Sequence, residues 1–171
     1  MDDRLDFEMP TPIVEAPASG SLPLAAAAGL VAAIAGGVVW GLIVKWSEYE
    51  IGIVAWGIGF LVGAAVVAAG RGRKGPALQA VAVVCALVGI LLGKYLGYAF
   101  AVQEQLEELS AALGVEVGLF SAEMWSAFRE DLGSVFGLFD VLWIGLALYT
   151  AWRALQPNEP EPSPAPERSS E

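Results

Sequence analysis

"PALQAVAVVCALVGILLGKYLGYAF", Pro76 to Phe100, carries one charge, Lys94, in twenty-five residues. A run of that length makes about 37 Å of helix, enough to cross the roughly 30 Å hydrocarbon core of a bilayer. Pro76 suits a first helical position, where no backbone donor is lost. Three further windows read the same way: Pro23–Val44, Ile51–Gly70 and Leu132–Trp152. Each approaches or exceeds the roughly 18 apolar residues that indicate a membrane span. The whole chain of 171 residues is 56% hydrophobic and 16% charged, against about a quarter charged in soluble domains. The expectation is an all-α integral membrane protein with four transmembrane helices.

The polar segments fall around these windows. Residues 1–22 are acidic and broken by proline, and residues 156–171 hold five prolines in "QPNEPEPSPAPERSSE". Both read as disordered tails flanking a membrane domain over 23–155. The start lacks the basic region of a secretory signal and its apolar window is too long for one, so the first span is expected to stay in place.

Residues 101–131 form an extramembrane amphipathic segment between the third and fourth spans. Val102, Leu106, Leu109 and Leu113 recur at helical spacing, so the third span is expected to run on beyond the membrane. A second helix is expected from "FSAEMW", with Ser121 as N-cap and Phe120 against Trp125 as a hydrophobic staple. Two placements fit it: flat at the headgroup level, or capping the bundle.

Basic residues set the orientation. Arg71, Arg73 and Lys74 sit in the short loop between spans two and three, and Arg153 closes span four on the same side. Short basic loops stay cytoplasmic, which places both termini there and the acidic 101–131 segment outside.

Lipid tails are as apolar as leucine, so helices in a bilayer associate through close backbone contact. Small residues recur every fourth position in span one (Ala25, Gly29, Ala33, Gly37, Gly41). Gly59 and Gly63 mark a face of span two, Gly89, Gly93 and Gly97 of span three, and Gly133 and Gly137 of span four. Cys85 lies in register with Gly89 and reads as a small packing residue. The aromatic residues Trp40, Trp46, Tyr49, Tyr95, Tyr98, Trp143, Tyr149 and Trp152 read as an interfacial belt.

Two charges stay inside the spans. Lys94 lies about 27 Å along its helix from Pro76, near the outer surface, where its stem can snorkel outward. Asp140 sits about 12 Å into span four, on a face shared with Gly133, Gly137 and Ala147. Glu50, at the head of span two, and Asp140 are the two candidate partners of Lys94. The pairing ties span three to span two or span four.

"EIGIVAWGIGFLVGAAV" (Glu50–Val66) and "LLGKY" (Leu91–Tyr95) resemble a pattern of uncharacterised bacterial multi-span inner membrane proteins. The matching positions are Glu50, Trp56, Gly59, Gly63, Lys94 and Tyr95. Some members of that group carry a zinc ribbon before the first span, which this chain lacks. The resemblance implies a bacterial inner membrane location and no particular activity.

With no histidine and one cysteine, the chain holds no His/Cys metal site, no disulfide framework and no Ser/His or Cys/His pair. Its net charge of −10 argues against nucleic acid. No cofactor is expected, and no catalysis. The leading expectation is a membrane protein of structural, scaffold or assembly type, with the lipid bilayer and a second copy or another membrane protein as partners. The alternative is a small channel or transporter using Asp140 and Lys94 near an ion path.

Overall fold

The computed structural model describes residues 21–47, 49, 51–71, 73–113 and 118–157, with backbone alone at 21 and 107–113. Six helices account for its regular structure: α1 (Ser21–Ser47), α2 (Ile53–Ala69), α3 (Pro76–Leu113), α4 (Ala122–Glu130), α5 (Leu132–Val135) and α6 (Leu138–Ala154). No strand occurs among the described residues. The long helices run up, down, up and down. Ser21 and Leu22, expected in the leading tail, belong to α1 instead.

Small residues fix how the helices meet. A methyl group on Gly37 would lie 2.6 Å from the Gly89 carbonyl oxygen, and one on Gly93 would lie 2.6 Å from the Trp40 ring. Together with Gly41 against Leu96 and Gly97 against Val44, this lays α1 and α3 side by side in parallel. On α2, Gly59 abuts the Ala147 backbone and Gly63 meets Ala151, so α2 and α6 form a second parallel pair. Ile58 of α2 packs against Gly36 and Gly89, joining the two pairs. Ala33, Ile58, Val62, Val66, Ala82, Ala86 and Ala147 lie in the core between them.

Two helices are long and apolar enough to cross a membrane, Leu22–Ser47 and Pro76–Leu106, and α2 is a shorter apolar helix. The expected fourth span is interrupted. Phe136 (φ −107°, ψ 104°) and Gly137 (φ −88°, ψ 171°) are extended, and the continuous helix begins only at Leu138. The glycine row expected for this span is therefore corrected. Gly133 has open space where a Cβ would stand, and Gly137 meets only the Asp140 carboxylate. Both precede α6, so neither lies on a helix face that touches a neighbour.

At one end of the bundle, the Gly75 N–H donates to the Leu155 carbonyl at 3.2 Å and the Gln79 amide to that of Trp152 at 3.3 Å. These bonds bring exposed Arg71, Arg73, Lys74 and Arg153 to a common end. Acidic Glu123, Glu130 and Asp131 stand at the opposite one, beside the far half of α3.

Candidate functional site

Residues 91–98 of α3, "LLGKYLGY", serve two neighbours at once. Helical periodicity puts Gly93 and Gly97 on the face that α1 covers. Lys94, Tyr95 and Tyr98 turn instead to residues 118–137. Each reaches a polar atom there.

The segment folds locally for ordinary reasons. Ser121 is extended (φ −72°, ψ 158°), and its hydroxyl accepts the Met124 N–H at 3.1 Å, which starts α4. Helix α4 then lays Met124 and Phe128 against Tyr95, Leu96 and Ala99, forming a second apolar cluster apart from the main core. These contacts seat α4 on the end of the bundle. Phe120 and Trp125 both pack on Tyr95, with ring centroids 5.9 and 5.4 Å away. The Tyr95 hydroxyl donates to the Leu119 carbonyl at 2.6 Å, and the Tyr98 hydroxyl donates to Asp131 Oδ2 at 2.6 Å.

Beyond the single turn of α5 the chain extends through Phe136 and Gly137 before α6 starts. Asp140 falls at the third position of α6, and its Oδ2 accepts the Gly137 N–H at 2.8 Å. A carboxylate suits that place because the first turn presents unpaired donors and the positive end of the helix dipole. The other oxygen, Oδ1, lies 2.9 Å from Lys94 Nζ. Lys94 Nζ also donates to the Val135 carbonyl at 2.9 Å. Its distances to the Phe136 and Trp40 ring centroids are 5.4 and 5.9 Å, within cation–π range. Lys94 is 1% exposed, so the expected outward snorkelling does not occur: its acceptors lie within the protein. Asp140 keeps slightly more access to solvent, with a side chain 17% exposed.

Asp140 is thus a residue of the first turn, and the expected depth in a continuous span is corrected by the break at Phe136–Gly137. Trp40 and Tyr95 also depart from the belt reading, being 1% and 5% exposed. The Trp40 Nε1–H is buried and finds no acceptor among the described residues. Glu50, the second candidate partner of Lys94, lies outside the described residues.

Residue patterns did not point to Val135, Leu119 or Asp131. Two of them act through peptide oxygens, which leave no mark in side-chain identity. Gly137 followed three residues later by Asp140 is a usable signal for a helix start, and it lies in the sequence itself. Elsewhere in the bundle, the Trp56 indole donates to Thr150 Oγ1 at 3.0 Å, a polar tie between α2 and α6.

No three His, Cys, Asp or Glu side chains among the described residues converge to hold a metal ion. The chemistry available at Lys94 is charge neutralisation: one ammonium shared between a carboxylate and a peptide oxygen under two aromatic rings.

Fold and site together define an all-helical bundle with a buried ion pair at the edge of its polar cap. No family model, curated protein or solved structure matches the chain.

Proposed function

We propose that this protein is a membrane scaffold or assembly factor in which α1, α2, α3 and α6 cross the bilayer and α4–α5 cap its outer face. Apolar side chains ring the bundle and support the crossing. Val31, Phe60, Val84 and Leu142 are 68%, 59%, 58% and 63% exposed, apolar side chains that lipid would cover. At 17 residues each, α2 and α6 reach about 26 Å, the short end of the spanning range. The common end of Arg71, Arg73, Lys74 and Arg153 is the cytoplasmic side by the positive-inside rule, which puts both termini there. The resemblance carried by Glu50–Val66 and Leu91–Tyr95 supports a bacterial inner membrane as the location.

The observation that carries the scaffold reading is the internal pairing of Lys94 with Asp140. A conduction path presents ionisable groups to a polar cavity and usually strings several together at depth. Here the ammonium is enclosed and engaged with a carboxylate and a peptide carbonyl. Lipid, with a second copy or another membrane protein, would occupy the remaining apolar surface, which fits a structural part.

Flux through liposomes tests this. Purified protein is expected to pass neither protons nor monovalent cations above empty vesicles. Flux that Asp140→Asn abolishes, with the fold intact, would establish the small channel or transporter instead.

A further inference from the structure

We propose that residues 118–137 form a strap that lifts from α3 as a unit, with Lys94 as its latch. This goes beyond the scaffold reading and does not depend on it, since every contact involved lies within the chain.

The strap has its own apolar cluster. Met124 and Phe128 are buried with Tyr95, Leu96 and Ala99, while the four long helices share a separate core. Among the long helices α4 packs chiefly on α3, through a small contact, and α5 packs mainly on α4. A unit joined to the rest through one small cluster opens at lower cost than the bundle itself.

Three polar fastenings of the strap come from one turn and a half of α3. Tyr95 holds Leu119 at the beginning of the strap, Tyr98 holds Asp131 at the junction of α4 and α5, and Lys94 holds Val135 near the end. Phe136 and Gly137 are extended and lie just past that last contact, which makes them the natural pivot. Rotation on the Phe136 side of the pivot leaves α6 intact, because Asp140 holds the Gly137 N–H at the start of that helix. Lys94 grips both sides of the pivot, through Val135 before it and Asp140 after it. Lifting the strap parts Lys94 from Val135 and bares the apolar face of Tyr95, Leu96 and Ala99.

Hydrogen–deuterium exchange on the full chain in detergent micelles reads the opening directly. Once off α3, α4 is a nine-residue helix, too short to persist alone in water, so its amides exchange whenever the strap lifts. Lys94→Met is expected to speed exchange over 122–135 by at least about tenfold, the ratio a hydrogen bond to a charged group is worth, while 53–69 and 80–92, read at exchange times too short for global unfolding to reach them, stay within about twofold of the unaltered protein. Tyr98→Phe, which leaves Lys94 and Asp140 untouched, is expected to give the same regional pattern with a smaller rise. It also decides the matter if Lys94→Met does not fold. An even rise across all helices, or no rise over 122–135 in either variant, would overturn the strap.

Discussion

Lys94 is enclosed at a depth where an isolated ammonium is costly, and its partners offset that cost only as a set. Removing one member of a buried pair leaves the other unanswered, which costs about 3–5 kcal/mol. Lys94→Ala and Asp140→Ala are each expected to lower stability by about that much in chemical denaturation, and the double variant by clearly less than the sum. Additive losses would mean that the two groups act independently despite their 2.9 Å separation. The charges themselves were legible in the sequence because each interrupts an apolar run. The burial of Lys94 was not, because snorkelling or enclosure depends on whether an acceptor lies within reach of the stem. The acceptor here includes a peptide oxygen at Val135, and any residue at that position would supply one.

Between helices, glycine identity matters where a neighbour's backbone stands in the way. A side chain at Gly59 would run into the main chain of Ala147, which cannot swing aside as a flexible side chain can. Gly59→Ala is therefore expected to force α2 and α6 apart, lowering stability by about 1–3 kcal/mol and disturbing the Trp56–Thr150 hydrogen bond. Gly133→Ala is the matched contrast. Its Cβ would stand in open space within a helical turn, so it is expected to leave the thermal midpoint unchanged or raise it by the equivalent of up to about 1 kcal/mol. Rows of small residues on α1, α2 and α3 could be read from spacing because the helical period turns every fourth residue to one side. The row written across Gly133 and Gly137 failed because apolar residues continue on both sides of Gly137 in "LGSVFGLFDVLW" while the helix does not. Apolar composition reports solvent, and only the cap chemistry of Gly137 and Asp140 reports where a helix begins.

At the scale of the molecule, charge separates along the bundle axis. The basic end is tied by the Gly75 and Gln79 bonds to the end of α6, and the acidic cap sits beside the far half of α3. That polarity predicts a fixed orientation in the membrane, because short loops rich in Arg and Lys are retained on the cytoplasmic side. Single cysteines can read it against a quiet background, since the native Cys85 is buried at 7% exposure. Ala122 is exposed on the cap and Gln156 is exposed just past α6, so cysteines placed there sample the two ends. In intact bacterial spheroplasts, a membrane-impermeant thiol reagent is expected to label Ala122→Cys directly and Gln156→Cys only after permeabilisation. The reverse pattern would invert the topology and put the acidic cap inside. Equal labelling of both in intact spheroplasts would mean that the bundle does not hold one orientation across the bilayer, and the scaffold reading would lose its membrane frame.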